Sequence, residues 1–344
     1  MTYKRRALIV LIALVFILVC LGGCNNSAID EGQNPYIENG ENGNEEQQEV
    51  NLSEELGVSV NFIDVGRGEA IFVYLPDGKT LLVDCGKNDT DAEKIIKVVK
   101  AFKVDKIDYL LLSHPDTEHI GGAEKLINTI TVGKAFITKI MDDKILSLFP
   151  TFEKVKKLLT QQEVTVKDTD SNDYIKGEDY EVAVLTPPKR GGIYADFHLT
   201  LSPTENQVND VSPIVYLDVK GVRFLLTGDA GKSQENAIIE NVNNGIYDKE
   251  ILAVKGLSID LQNIDFLKVS NGGKDGATTT EFLNIIKPKN AVVFAGEGST
   301  PENLVLRRLQ LANEFYDLYR TDVYGSIAVK LLGNGEYQII SEKE

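Results

Sequence analysis

The chain has 344 residues, and its 52 acidic side chains outnumber the 36 basic ones to give a formal charge of −16. This length allows one large domain or two modest ones. So acidic a surface repels nucleic acid phosphates and anionic lipids unless cations intervene, which argues against a general nucleic-acid-binding protein.

The N-terminus has the pattern of a lipoprotein signal. Three basic residues lie at positions 4–6, an unbroken apolar run covers 7–19, and the small-residue segment Leu-Gly-Gly ends in Cys24. We expect residues 1–23 to be a signal peptide and Cys24 to carry lipid, which would anchor the protein at the extracytoplasmic face of the cell membrane. An uncleaved membrane anchor is the alternative. Either outcome leaves a tethered domain.

Residues 24–56 are predicted to form a flexible acidic linker, because they contain no Lys or Arg and few bulky apolar side chains. The remainder, 57–341, is the predicted folded domain. Without residues 1–23 the chain has 33 basic and 52 acidic residues, a formal charge of −19. Cys85 would then be the single thiol of the domain, and we expect it to be buried and inert, with no internal disulfide.

Short runs of β-prone residues open the domain at Val58–Phe62, Ala70–Tyr74 and Thr80–Val83. Apolar residues at helical spacing follow from Asp91 to Phe102, and the apolar run Ile107–Leu112 returns as a buried strand. This order predicts a sheet with a helix covering one face.

Directly after that strand, the sequence SHPDTEHIGG at positions 113–122 places two imidazoles and two carboxylates within six residues. We expect an extended turn in which His114, Asp116 and Glu118 converge on one cation, while His119 points to the other side and could serve a second. This donor set suits Zn²⁺, Mn²⁺ or Fe²⁺. A polar loop without a metal is the alternative.

The second half alternates predicted helices and strands and ends another buried strand in a carboxylate. Helices are predicted at Ala123–Ile130 and Lys144–Gln162, and strands near Lys134–Thr138, Val164–Val166 and Tyr180–Leu185. Next comes a hairpin whose second strand, RFLL, leads to Asp229. A carboxylate there needs a partner to stay charged, and a cation is favoured over a helix N-cap. His198 is expected to be a surface residue, with a ligand role as the alternative.

The motif at 113–122 resembles the His-x-[His/Asp]-x-Asp-His-x-Gly-Gly signature of the metallo-β-lactamase fold hydrolases. The segment NFIDVGRGEAIFVYLPDGKTLLVDCG at 61–86 is similar to the opening of one branch, the extracellular hydrolase domain of the competence protein ComEC. The resemblance extends over about residues 58–332. It implies a four-layer αββα sandwich that binds one or two Zn²⁺ or Mn²⁺ ions.

The resemblance also implies roles for individual residues. The metal ligands would be His114, Asp116, Glu118, His119 and Asp229, and the carboxylates of Glu118 and Asp229 would act on the attacking water. Residues beside the ligands or the substrate would be Asp64, Asp84, Asn209, Ser212, Asn271 and Lys274. Because Asp64 and Asp84 lie beside glycine turns, each could steady a ligating imidazole or could only cap a turn.

Several positions depart from the pattern of that branch. Arg67 and Glu69 replace the usual Gln and Asp, and Glu118 replaces an Asp. Asn271-Gly272 replaces a His-His pair, and a later histidine, near Ser299 or Thr300, is also missing. These changes predict weakened metal binding, with one ion favoured over two.

Together these features predict an anchored, extracytoplasmic, metal-dependent hydrolase of phosphoesters. A small phosphoester or nucleotide fits the negative charge better than polymeric DNA. The alternative is a catalytically impaired member that keeps the fold as a binding or scaffold module. A solute-binding lipoprotein would have the right location but different motifs, and the sequence indicates no protein partner.

Overall fold

The computed structural model describes residues 52–138, 140, 143–171, 173–187, 202–247, 256–262, 264–313 and 316–343. The predictions for the signal peptide, for lipidation of Cys24 and for His198 fall outside these ranges. Within them, no helix combines the length and the apolar character needed to cross a membrane.

The strands all join two sheets. Their bounds are β1 Ser59–Phe62, β2 Ile71–Tyr74, β3 Thr80–Val83, β4 Lys106–Leu112, β5 Thr131–Ile137, β6 Thr165–Asp168, β7 Tyr174–Gly177, β8 Tyr180–Val184, β9 Val215–Val219, β10 Val222–Leu226, β11 Phe266–Lys268, β12 Asn290–Val293, β13 Asp317–Arg320, β14 Ile327–Gly333 and β15 Glu336–Ser341. The first sheet has the order β15-β14-β1-β2-β3-β4-β5-β6, and the second has the order β13-β12-β11-β10-β9-β8-β7.

The helices lie between these strands in the chain. Their bounds are Leu52–Glu55, Asp89–Ala101, Thr117–Ile120, Ala123–Ile127, Asp143–Leu146, Pro150–Gln161, Glu205–Asn209, Lys232–Asn243, Thr280–Ile286, Asn303–Ala312 and Thr321–Tyr324, with a 3₁₀ turn at Ser270–Gly273. Both sheets are mixed: β3 to β6 run parallel to one another, as do β10 to β13.

Side chains alternate between the two faces of each strand and so build separate layers of core. In β2, Ile71 and Val73 pack between the sheets, whereas Phe72 packs with the helices outside the first sheet. In β10, Phe224 faces the space between the sheets and Leu225 faces the helices outside the second sheet. This period of two is what a sheet covered on both faces requires. The predicted four-layer αββα sandwich is confirmed.

The fold differs from the sequence prediction at several boundaries. The single helix predicted at Lys144–Gln162 is two helices, which end at Leu146 and begin again at Pro150. Proline favours the first turn of a helix and disrupts its interior, so it starts the second helix. The strand β7 and the helix Glu205–Asn209 were not predicted, because their apolar periodicity is weak.

Parallel strands bring chemically important residues to one end of each sheet. Strands β3 and β4 are paired in parallel, so Asp84 and the motif at 113–122 emerge side by side. Strands β10 and β11 are also parallel, and they deliver Asp229 and Lys268. The carboxyl ends of neighbouring parallel strands are a common place for ligands in such sheets.

Candidate metal centre

The motif at 113–122 forms a helical turn rather than the extended turn expected from its sequence. Asp116 is the N-cap of the helix Thr117–Ile120, and its Oδ1 accepts a hydrogen bond from the backbone N–H of Glu118 at 3.3 Å. Along an extended backbone every second side chain points the same way, whereas in a helical turn the directions repeat every 3.6 residues. The prediction that His119 points away from His114 is therefore wrong, since the two imidazole rings lie 4.1 Å apart.

Three side chains converge on one point. Ligand atoms of His114, His119 and Asp229 lie within 4.8 Å of one another, and His119 Nε2 is 3.4 Å from Asp229 Oδ2. Both imidazoles are buried, and His114 Nε2 has no hydrogen-bond partner among the described residues. A buried nitrogen without a partner is costly and indicates a missing ligand or ion.

The opposite nitrogens of both rings are held in place by Asp84. Its Oδ2 lies 2.7 Å from His119 Nδ1, and it also accepts the hydroxyl hydrogen bond of Ser113 at 2.7 Å. Ser113 Oγ in turn lies 3.0 Å from His114 Nδ1. One buried carboxylate therefore orients both rings with Nε2 turned towards Asp229, which is how second-layer contacts prepare imidazoles for a metal.

Burial and neighbouring charges shift the pKa values of His114, His119 and Asp229. Burial, together with the charge of His119, lowers the pKa of His114 to about 4, so this ring is neutral at physiological pH. Burial opposes the charge on His119, but the carboxylates of Asp229 and Asp84 raise its pKa well above its ordinary value. Burial also opposes ionisation of Asp229, but His119 and Lys268 hold its pKa well below the usual range. Asp229 is therefore an ionised carboxylate, suited to binding a cation.

Two further charged residues of the centre, Glu69 and Lys268, were not among the predicted site residues. They are buried, at 1 % exposure each, and form an ion pair. Lys268 Nζ also lies 3.7 Å from Asp229 Oδ1. The signal for Lys268 was a lysine inside the apolar strand sequence FLKV, and that for Glu69 was its position in place of a family Asp.

Asp116 and Glu118 are not brought into the group formed by His114, His119 and Asp229. The carboxylate of Asp116 caps the helical turn. That of Glu118 pairs with the Arg67 guanidinium at 3.1 Å and is a quarter exposed. Neither carboxylate belongs to a group of ligand atoms within 4.8 Å of one another, although Glu118 lines the same pocket as His119 and Asp229.

The other predicted residues lie around the centre in different settings. Asp64 accepts a hydrogen bond from the Gly66 N–H at 3.1 Å and so stabilises its turn. Ser212 is buried and its Oγ has no partner among the described residues. Asn209 is buried at the end of its helix. Asn271 and Lys274 line the pocket in front of the centre, and Lys274 also pairs with Glu205 at 3.4 Å.

The two glycines of the motif are required by close packing rather than by the tight turn expected from the sequence. Gly121 has helical backbone angles, with φ of −62°. A Cβ atom on it would lie 1.7 Å from the carbonyl oxygen of Lys87, and one on Gly122 would lie 2.3 Å from that of Cys85. The missing side chains let the motif approach the loop after β3, which carries Asp84.

Cys85 is buried and free, and burial raises the pKa of its thiol well above the ordinary value.

The residues present fit a divalent ion. Two imidazole nitrogens and one carboxylate form a donor set used for Zn²⁺, Mn²⁺ and Fe²⁺. A second group of ligand atoms, from Glu69, Asp84 and His119, also lies within 4.8 Å. In that group His119 Nδ1 already contacts Asp84 and Glu69 already pairs with Lys268. The first group is therefore the candidate metal centre.

Comparison with known proteins identifies the family of this chain. A sequence model of the metallo-beta-lactamase superfamily matches residues 63–297. ComE operon protein 3 of Bacillus subtilis (strain 168) is 25 % identical in an alignment of 292 residues that covers 78 % of this chain and 32 % of that protein. The chain thus spans about a third of the length of this curated relative.

Two solved structures show distant similarity. CmlA, a diiron β-hydroxylase from Streptomyces venezuelae, is 14 % identical with a TM-score of 0.46. Its alignment covers 80 % of this chain and 54 % of the CmlA chain. YhfI from Bacillus subtilis, a metallo-beta-lactamase fold protein, is 11 % identical with a TM-score of 0.44. Its alignment covers 79 % of this chain and 98 % of the YhfI chain. Because the superfamily model spans more than half of the sequence, this chain belongs to the metallo-beta-lactamase superfamily.

Proposed function

We propose that this protein is a metal-dependent hydrolase of small phosphoesters, anchored at the extracytoplasmic face of the membrane through Cys24. The observation that carries the hydrolase proposal is the convergence of His114, His119 and Asp229, with the outer nitrogens of both rings fixed by Asp84 and Ser113. Such an arrangement leaves three ligand atoms free for one ion and open positions for water and substrate.

A divalent ion bound there would supply a Lewis acid and a water that is acidic enough to act as a nucleophile near neutral pH. The protein's own residues would do the rest. Asp229 stays ionised and holds its place as a ligand, so it is a poor proton acceptor. Glu118 is partly exposed at the pocket wall and can take a proton at Oε2, because Arg67 contacts Oε1.

The pocket in front of the centre favours an anionic substrate. Although the whole chain is strongly acidic, the three basic side chains of this pocket, Arg67, Lys268 and Lys274, equal its three carboxylates in number, so a bound divalent ion would make the pocket positive. Cationic donors at this place can bind the oxygens of a phosphoryl group and oppose the charge that develops on them. The negative charge of the surrounding surface disfavours a long nucleic acid, which would extend beyond the pocket.

The signal pattern that ends in Cys24 supports an extracytoplasmic setting. Wild type should incorporate a radiolabelled fatty acid in growing cells, and Cys24→Ala should not. Label in both proteins, or in neither, would refute the lipid anchor.

Turnover tests the hydrolase proposal. We would measure hydrolysis of bis-p-nitrophenyl phosphate and of nucleotides by the full-length protein with added Mn²⁺ or Zn²⁺. His114→Gln and Asp229→Asn should each lower the rate at least about a hundredfold, because each removes a ligand. Asp91→Asn, which changes a buried carboxylate outside the centre, is the control. Equal rates in all four proteins would refute the proposal.

A second candidate is a binding module that has lost turnover. It is favoured by Asn271-Gly272, which stands where the ComEC branch has two histidines. In this case the protein would bind Mn²⁺ and a phosphate ester but show no rate above that of Asp229→Asn.

A further inference from the structure

The number of cations at the centre is set by the carboxylates that remain uncompensated. The two groups of ligand atoms share His119 and include three acidic residues, Glu69, Asp84 and Asp229. The pocket wall adds a fourth, Glu118. Buried carboxylates require positive partners, so the partners already supplied by the chain limit how many metal ions can bind.

Lys268 supplies one of these partners. It ends strand β11 and is 1 % exposed. Its ammonium forms an ion pair with Glu69 Oε2, lies 3.7 Å from Asp229 Oδ1 and donates to the carbonyl oxygen of Gly228. An ammonium buried in this way is fixed by its carboxylate partners, since its desolvation is costly without them. A positive charge therefore already lies between Glu69 and Asp229.

The two oxygens of Asp229 consequently have different surroundings. Oδ1 faces the Lys268 ammonium, whereas Oδ2 lies 3.4 Å from His119 Nε2, on the side where the imidazoles converge. A carboxylate held in this manner offers one oxygen to a metal and keeps the other for the ammonium.

Arg67 provides a second positive charge at the pocket, in an ion pair that is more exposed than that of Lys268. Its guanidinium contacts Glu118 Oε1 at 3.1 Å. Asp84, the remaining carboxylate, is satisfied by Ser113 and His119. Among the described residues of the centre, His114 Nε2 has no hydrogen-bond partner, and Asp229 Oδ2 and His119 Nε2 face each other at 3.4 Å, so these three atoms are the ones that a metal ion would take. Glu69 Oε1 also lacks a hydrogen-bond partner, but the charge of its carboxylate is already balanced by Lys268.

We propose that Lys268 and Arg67 take the place of a second metal ion, so that the centre binds one divalent cation, with Lys268 as a positioning residue that leaves Asp229 one oxygen for it. This deepens the proposed function, because it rests on the same three ligands. It concerns stoichiometry, however, and can be tested without turnover.

The test measures Mn²⁺ binding to the full-length protein. Equilibrium dialysis gives the affinity and the number of bound ions, and electron paramagnetic resonance shows whether the ions are isolated or paired. Wild type should bind one Mn²⁺ per chain and give the spectrum of isolated ions. In Lys268→Met the carboxylates of Glu69 and Asp229 lose their countercharge, so Mn²⁺ should bind about tenfold more tightly or in a second equivalent. The double variant Glu69→Gln/Lys268→Met removes both charges of the pair and should return to the wild-type stoichiometry.

A matched control is Lys289→Met. Lys289 also pairs with a buried carboxylate, that of Asp265 at 2.7 Å, but no candidate ligand is involved. This variant should bind Mn²⁺ as wild type does. A similar gain in Lys289→Met would show a general charge effect and overturn the role of Lys268.

Two Mn²⁺ ions per wild-type chain, with the spectrum of coupled pairs, would overturn the proposal directly. So would unchanged affinity and stoichiometry in a folded Lys268→Met protein. If Lys268→Met fails to fold, the number of Mn²⁺ ions bound by wild type and the Mn²⁺ affinity of Arg67→Gln test the proposal instead. Removing Arg67 frees the carboxylate of Glu118 and should also tighten Mn²⁺ binding. One bound ion without hydrolysis would refute the proposed function alone, whereas hydrolysis with two bound ions would refute this inference alone.

Discussion

Replacing Asp84 by Asn should weaken metal binding without removing a ligand. The Oδ2 atom of Asp84 accepts hydrogen bonds from Ser113 Oγ and His119 Nδ1, each at 2.7 Å. An amide NH₂ in its place would donate to His119 Nδ1 and force the proton of that ring onto Nε2. The nitrogen that faces the ion would then be protonated and unable to bind it.

The size of the effect follows from the loss of an orienting partner. Such changes cost about ten- to a hundredfold in metal affinity, which corresponds to about 1.4–2.8 kcal/mol. We would measure the dissociation constant for Zn²⁺ by competition with a chelating dye. Circular dichroism would confirm that the variant is folded.

The control for Asp84→Asn is Asp91→Asn. Asp91 is also buried and lies in the same region, but it accepts a hydrogen bond from the backbone N–H of Lys87 at 2.9 Å and contacts no imidazole. Its replacement should leave the dissociation constant unchanged. If folded Asp84→Asn bound Zn²⁺ as tightly as Asp91→Asn, the orienting role of Asp84 would be refuted.

Three further predictions concern stability. Unfolding metal-free protein returns the pKa of His114 from about 4 to 6.5 and so takes up a proton, because the unfolded ring is protonated between these values. The free energy of unfolding should therefore fall by about 3 kcal/mol from pH 6.5 to pH 4 in urea titrations, relative to His114→Gln. An equal slope in that variant would contradict this. Zn²⁺ at a hundred times its dissociation constant should stabilise wild type by about 2.7 kcal/mol and Asp229→Asn hardly at all; equal gains would place the ion elsewhere. Gly121→Ala should cost at least about 3 kcal/mol through its 1.7 Å approach to the Lys87 carbonyl. Gly298→Ala, with φ of +75° and open space around it, should cost only about 1–2 kcal/mol, and similar losses would refute the packing explanation.

Much of the fold could be predicted because its signals are local. The strands β2, β3 and β4 are short apolar runs ended by turns, and their observed bounds lie within one residue of those expected. The break between the helices that end at Leu146 and begin at Pro150 could also be predicted, since proline disrupts a helix interior. It was missed because apolar periodicity continues across it.

The arrangement of the centre was harder to predict. The spacing of His114 and His119 indicated metal chemistry, but which side chains converge depends on whether the motif is extended or helical. A short turn capped by Asp116 decides this, and four residues are too few for periodicity to reveal it. The pair joins Glu69, in the loop before β2, to Lys268 in β11, and only the folded structure brings these distant parts of the chain together.

The most direct test of the metal centre is anomalous diffraction from crystals of the protein grown with Zn²⁺. We predict a single strong peak about 2.0–2.2 Å from His114 Nε2, His119 Nε2 and Asp229 Oδ2. The absence of a peak between these atoms, or a strong peak bound only by other residues, would contradict the proposed centre.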